Sequence, residues 1–144
     1  MGSKTIRLAI DSDLEHVSLV GMAINKICSL IPFSDTQCDQ IELCVVEAVN
    51  NCIEHAYGNE KGHQVEITLT LDPDRLVIDV CDTGKAMERE LMEPKNISAL
   101  QIDPNDLDSI AEEGRGLSIM NEIMDDMTYG TKSGKNCLTL LKNI

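Results

Sequence analysis

From Lys4 to Ile10 apolar and polar residues alternate, with Ile6, Leu8 and Ile10 on one side and Arg7 and Ala9 on the other. That period of two predicts an edge strand with one buried face. The period then lengthens. Leu14, Val17, Val20, Gly21, Ile24, Ile27, Cys28 and Ile31 recur at three- and four-residue steps until Pro32, and Ser12-Asp-Leu-Glu15 has the form of a capping box, so a first helix is predicted here. Ser34-Asp-Thr-Gln37 is a second capping box, and behind it Ile41, Cys44, Val45, Ala48, Val49, Cys52, Ile53 and Ala56 form an apolar stripe that leaves through Tyr57-Gly58-Asn59.

Two alternating runs, His63 to Leu71 and Arg75 to Cys81, are joined by Asp72-Pro-Asp74 and predict a tight hairpin. From Thr83 to about Glu113 no period is sustained. An irregular stretch of that length in a small domain usually carries function; a short helix near Asp106 to Ile110 is expected within it. Gly116 to Met127 reads as a helix, with Leu117, Ile119, Met120, Ile123 and Met124 apolar. Two strands, around Met127 to Thr131 and Asn136 to Lys142, close the chain across Ser133-Gly134-Lys135. The order β-α-α-β-β-loop-α-β-β predicts an α+β fold, a two-layer α/β sandwich with helices on one face of a mixed, mostly antiparallel sheet.

Residues 1–144 are expected to form a single domain, because a chain of this size buries roughly two thirds of its unfolded surface and can support a core unaided. The 12 Lys and Arg against 25 Asp and Glu give a net charge of −13, which repels phosphate backbones and anionic membranes. Partners that are nucleic acid or membrane are therefore not expected, whereas a small anion held by backbone N–H groups and a cation is compatible. With 42% apolar residues the chain is not disordered. No signal peptide or membrane-span pattern occurs, so a cytoplasmic location is expected. Gly2 does not open a myristoylation motif, since Ile6 stands where Ser or Thr is required. The six cysteines, at 28, 38, 44, 52, 81 and 137, contain no CxxC and mostly fall at apolar positions, which predicts reduced core residues rather than metal ligands or disulfides.

Three segments put polar residues or glycines where a fold alone does not need them. On the second helix Glu47 and Asn51 are four apart and share a face bordering the apolar stripe. A carboxylate and a carboxamide so placed suit a water and a hard cation such as Mg²⁺, although a solvated surface pair has the same spacing. Asp82-Thr-Gly84 ends an apolar strand and brings a carboxylate to the edge of the core, where it could accept from a ligand's amino group; ordinary turn chemistry also uses this pattern. Glu113-Gly114-Arg115-Gly116-Leu117 leads into a helix, and glycines beside unpaired N–H groups let a phosphate approach, while a ligand-free helix start would look alike.

Taken in order, the three segments resemble the ATPase domain shared by gyrase, heat-shock chaperones, sensor histidine kinases and mismatch-repair proteins, the GHKL or Bergerat ATP-binding fold. Within it, Glu-Ala-Val-x-Asn-x-x-x-His-x-Tyr from Glu47 to Tyr57 and Gly-x-Gly-Leu-x-Ile-Met from Gly114, followed by Met-Asp, are similar to the stand-alone bacterial anti-sigma-factor serine/threonine kinases. The resemblance covers nearly the whole chain. It implies ATP and Mg²⁺ as cofactors, with Asn51 the Mg²⁺ ligand, Glu47 the general base and Asp82 the acceptor for the adenine amino group. It further implies that Gly84 hinges a lid spanning Lys85 to Glu113, and that Gly114, Arg115, Gly116 and Leu117 form the phosphate cradle. His55 and Tyr57 match the pattern as structural or nucleotide-adjacent residues. Asn50 is the neighbour with which Asn51 could be exchanged by a one-residue error in register.

Departures from the family pattern are visible too. The second glycine of Asp-x-Gly-x-Gly is Ala86, and a threonine common near the last strand has no clear counterpart, Cys137 or Thr139 being nearest. No helical hairpin carries a phosphoacceptor histidine. The function implied is an anti-sigma-factor-type regulator that phosphorylates a Ser or Thr of an anti-anti-sigma (STAS-domain) protein and controls a sigma factor by partner switching, as a homodimer. A nucleotide-binding interaction module of the same fold without kinase activity is the alternative.

Overall fold

The computed structural model describes residues 2–87 and 112–144, the side chains of 112–115 excepted. Strand β1 (Lys4–Asp11) is followed by a short 3₁₀ turn at Leu14–His16 and by helices α1 (Val17–Cys28) and α2 (Asp35–Asn51). The hairpin β2 (Gln64–Asp72) and β3 (Arg75–Asp82) comes next, then helix α3 (Glu112–Ile123) and the hairpin β4 (Asp126–Lys132) and β5 (Lys135–Asn143). The five strands form one sheet in the order β1-β2-β3-β5-β4. Every neighbouring pair is antiparallel, so the expected two-layer α+β fold is present, with no parallel pair among the described residues.

Period-two patterning determines which sheet face is covered. Val65, Ile67 and Leu69 of β2, Leu76, Ile78 and Val80 of β3, and Leu138 and Leu140 of β5 are buried in one core with Ile24 of α1, Ile41, Val45 and Val49 of α2, and Leu117 and Met120 of α3. Such side chains each stabilise the fold by about 1.5–3 kcal/mol when fully removed from water. The alternate residues carry polar groups on the opposite face, where the Thr139 hydroxyl donates to Asp79. Helix α2 packs against both α1 and α3 and is the central member of the helical layer.

Local chemistry explains the boundaries and corrects several expectations. The Ser34–Gln37 capping box forms in full: Ser34 Oγ accepts from the Gln37 N–H, and Gln37 Oε1 accepts from the Ser34 N–H. Ser12 does not begin such a box. It is buried, its hydroxyl donating to the Glu60 carbonyl at 2.6 Å and accepting from the His63 N–H, while Asp13 caps the 3₁₀ turn instead. Tertiary bonds across the sheet edge have taken the side chain that the local pattern assigned to a cap. The α-helix ends at Cys28 rather than Ile31, its last carbonyls satisfied by tight turns from Leu30 and Ile31. Helix α3 starts at Glu112 rather than Gly116 and ends at Ile123, with Met127 already in β4. The short helix expected at Asp106 to Ile110 lies outside the described residues, as does all of the expected lid except Lys85 to Met87 and its last residues, Glu112 and Glu113.

Cys81 and Cys137, directly opposite each other in the β3–β5 register with Cα atoms 4.2 Å apart, form a disulfide on the sheet face away from the helices. Their periodicity looked like core packing because Cys81 is buried, but strand register brings two thiols together that are 56 residues apart in sequence. The cysteines at 28, 38, 44 and 52 are buried and free, as their apolar positions predicted. Among the described residues no helix is long and apolar enough to cross a membrane.

Candidate nucleotide site

Helix α2 does not stop at Asn51 but widens into a π-helical turn over Cys52–Ala56, closed by the Tyr57 N–H donating to the Cys52 carbonyl at 3.0 Å. Single π turns often occur at functional sites, and this one delivers Cys52, His55 and Ala56 to the wall of a cavity of about 340 Å³. Ala48, Val80, Leu117 and Leu138 supply apolar walls, and Asn51, His55, Asp82 and Lys85 supply polar ones. The helical layer, the sheet and the segment after β3 thus all contribute to the site. Asn50 is half-buried and does not line the cavity, whereas Asn51 does.

Asp82 follows Leu76, Ile78 and Val80 on the helix-facing side of β3, and it is only 6% exposed. A buried carboxylate requires donors. Its Oδ1 accepts from the Gly84 N–H at 3.0 Å and from Asn136 Nδ2 at 2.8 Å. The thiol of Cys52 is a further neighbour; burial, and then the charge and hydrogen bonding of Asp82, push that thiol well above its ordinary pKa and keep it protonated.

The turn after β3 is tied to the π turn. A Cβ at Gly84 would stand 2.3 Å from the Ala56 carbonyl oxygen, a distance no side chain can occupy, and the same carbonyl accepts from the Lys85 N–H at 2.9 Å. This close approach gives glycine at 84 a packing reason of its own, separate from the hinge expected there. Tyr57 completes the tie by accepting from the Thr83 N–H at 2.8 Å and donating to the Gln64 carbonyl, with its ring stacked on His63 at 4.6 Å. Tyr57 is therefore structural, and His55 is exposed at the cavity.

The third segment arrives from the other side. Gly114 and Gly116 lie within the first turns of α3, not ahead of it, because burial of Leu117 and Met120 outweighs the roughly 1 kcal/mol helix penalty of each glycine. A Cβ on Gly116 would stand 3.0 Å from Glu47 Oε2 and 3.7 Å from Asn51 Nδ2. The backbone of α3 is thereby seated against the two polar residues of α2. The side chain of Arg115 lies outside the described residues.

Sequence reasoning missed Asn136, Tyr129, Lys85 and Cys52. Tyr129 of β4 lines the cavity and accepts from the Met87 N–H at 2.9 Å. Asn136 looked like one polar residue in a hairpin, and only the β3–β5 register places it opposite Asp82. No signal in the chain order shows that pairing.

Comparison with known proteins places the chain in a family. The family described as the histidine kinase-like ATPase domain matches residues 10–142. Similar curated proteins include the serine-protein kinase RsbW of Bacillus velezensis and that of Bacillus subtilis, each 25% identical over 130 residues covering 90% of this chain and 79% of the relative. The protein of that name from Staphylococcus epidermidis is 26% identical over the same share of this chain and 80% of its own. Among solved structures, the SiaB–SiaC complex from Pseudomonas aeruginosa matches with a TM-score of 0.57 at 13% identity, covering 95% of this chain and 89% of that one, which shows a shared fold.

Proposed function

Because the chain belongs to the histidine kinase-like ATPase domain family, we propose that it binds Mg-ATP in the cavity beside α2 and transfers the terminal phosphoryl group to a Ser or Thr of an anti-anti-sigma (STAS-domain) protein. The observation that carries this reading is that Gly116 of α3 is seated against Glu47 and Asn51 of α2, and that Asn51 lines the same cavity as Asp82. The relatives named serine-protein kinase RsbW support the kinase activity and the regulatory class. A sigma factor as the competing partner, a homodimeric state, a cytoplasmic location and a single functional domain belong to the same reading.

Each residue then has a role that follows from its chemistry. Asp82 accepts from the exocyclic amino group of adenine, and the apolar walls at Ala48, Val80 and Leu138 receive the base. The N–H groups left unpaired at the start of α3, open to close approach because Gly114 and Gly116 carry no side chain, hold the phosphates together with Arg115, with Leu117 fixing that helix in the core. Glu47 acts as the base that orients and deprotonates the attacking hydroxyl. Among the described residues no cluster of three or more His, Cys, Asp or Glu could hold a metal alone. That fits Mg²⁺, which keeps several waters and phosphate oxygens and asks for few protein ligands, here the Asn51 carboxamide oxygen. When bound, Mg²⁺ supplies charge neutralisation on the phosphates.

Calorimetry together with transfer of labelled phosphate to a STAS-domain partner tests the proposal. Glu47→Gln should keep nucleotide affinity and lower transfer by about 10²–10⁴, whereas Asn51→Ala should impair Mg²⁺-dependent binding itself. Asp82→Asn should weaken ATP binding by on the order of 1.5–3 kcal/mol, the range for a hydrogen bond to a charged group. If Glu47→Gln transfers phosphate at the parent rate, Glu47 is not the base; if the parent binds Mg-ATP and transfers no phosphate to the STAS-domain partner, the protein is a nucleotide-gated interaction module and not a kinase.

A further inference from the structure

Asp82 has two oxygens, and its neighbours do not treat them alike. Both strong donors, the Gly84 N–H and Asn136 Nδ2, reach Oδ1. The Cys52 thiol is a further, weak donor to this carboxylate, and among the described residues no N–H or O–H donor reaches Oδ2, on a residue that lines the cavity. Asn136 is 2% exposed and is itself held: Nδ2 also donates to the Gly84 carbonyl at 3.0 Å, and Oδ1 accepts from the Thr131 hydroxyl at 2.7 Å. Only one rotation of the amide satisfies this set, because turning it over would set its oxygen against a carboxylate and a carbonyl at once. Thr131, Asn136 and Asp82 therefore form a directed chain from the β4–β5 hairpin to the cavity.

We propose that Asn136 is a positioning residue for base recognition: held by Thr131, it occupies Asp82 Oδ1 and so aims Oδ2 at the exocyclic amino group of an adenine. The proposal rests on the reading of Asp82 as the adenine acceptor and adds what sets its direction. A carboxylate free to rotate about its last bond presents either oxygen, or neither, to the cavity. One locked through Oδ1 presents an acceptor in a fixed place. Discrimination between a 6-amino and a 6-oxo purine depends on that fixed acceptor, since a 6-oxo base meets it with oxygen against oxygen. Asn136 is thus predicted to act on base choice more than on phosphate binding.

The test is titration calorimetry of the full chain with Mg-ATP and with Mg-ITP, whose base carries an oxo group in place of the amino group. The parent should prefer ATP by at least tenfold. Asn136→Leu keeps the volume and removes both donors; ATP affinity should fall at least fivefold and ITP affinity change less than twofold, which erodes the preference. Asn136→Thr restores one hydroxyl donor and should recover part of it, and Thr131→Val, which only frees the amide, should lower ATP affinity two- to threefold with ITP unchanged. Equal losses for both nucleotides in these variants would show a merely structural role and overturn the proposal. If Asn136→Leu does not fold, Asn136→Thr and Thr131→Val decide alone, and a parent-like ATP/ITP ratio in both overturns it. Asp82→Asn separates the two levels: if it binds ATP like the parent, the adenine reading falls and this proposal with it. If it loses ATP while the variants at 131 and 136 keep the parent's ratio, only the positioning role falls.

Discussion

Two glycines, at 84 and 116, look alike in the sequence and answer to different neighbours. At 84 an added Cβ meets the backbone carbonyl of Ala56 at 2.3 Å, which cannot move without breaking the tie between the π turn and β3. Gly84→Ala should therefore cost at least about 1–3 kcal/mol, the range of overpacking, read as a lower midpoint in urea. At 116 the nearest atom, at 3.0 Å, is a side-chain oxygen of Glu47, the far end of a flexible side chain that need shift by only a few tenths of an ångström. Gly116→Ala should leave stability unchanged or raised by up to about 1 kcal/mol through helix propensity and still lower phosphoryl transfer, because the displaced carboxylate is the proposed base. Parent-like stability for both variants, or a shared loss, would contradict the contrast. The buried thiols make a third residue-level statement. Burial pushes Cys28 and Cys44 up to about 12. In the unfolded chain they ionise near their ordinary value, so above that pH the unfolded state holds fewer protons than the folded one and stability falls as pH rises. The slope approaches about 1.4 kcal/mol per pH unit per thiol between the two values. Urea unfolding under reductant at pH 8 and pH 10 measures it, and Cys28→Ala should flatten the slope.

Among the elements, the β3–β5 pair joins the fold to the site. Its register aligns Asp82 with Asn136, and one step away Cys81 with Cys137. The disulfide closes a loop of 56 residues in separation, for which the chain-entropy account gives roughly 4 kcal/mol of stabilisation. Cys81→Ser should thus lose on the order of that amount under non-reducing conditions and nothing in excess dithiothreitol, and equal urea midpoints with and without reductant would show the parent thiols unbonded. The helices show the opposite balance of local and distant causes. Helix α2 begins where its own sequence says, at a capping box four residues long. Helix α3 begins four residues before the predicted start because Leu117 and Met120 have a core to enter.

At the scale of the molecule, the cavity is walled by α2, α3, β3, β4 and β5, so a ligand there braces both layers at once. Mg-ATP at 100 times its dissociation constant should add about 2.7 kcal/mol, which for a chain of this size raises Tm by on the order of 10 °C. Differential scanning fluorimetry reads this directly, and an unchanged Tm at saturating Mg-ATP would exclude the cavity as the nucleotide site. The net charge of −13 acts at the same scale. It keeps phosphate ligands away from most of the surface, so in the proposed reading their binding falls to the local N–H groups and the cation.

By itself the sequence determined the parts that depend on local period and local chemistry. These are the strands with alternating faces, the Ser34 cap, the shared face of Glu47 and Asn51, and the carboxylate of Asp82 at the end of an apolar row. All rest on residues within about one turn or one pleat of each other, where backbone geometry leaves little choice. Tertiary structure alone decided which distant groups meet. It took Ser12 from a cap into a bond with Glu60 and His63, paired Cys81 with Cys137, drew the Ala56 carbonyl against Gly84, and set Asn136 opposite Asp82. Each of those contacts spans from 28 to 56 positions along the chain. Pairing at that range is set by strand register and helix-on-sheet packing, in which a one-residue slip would exchange every buried face for a solvent-facing one.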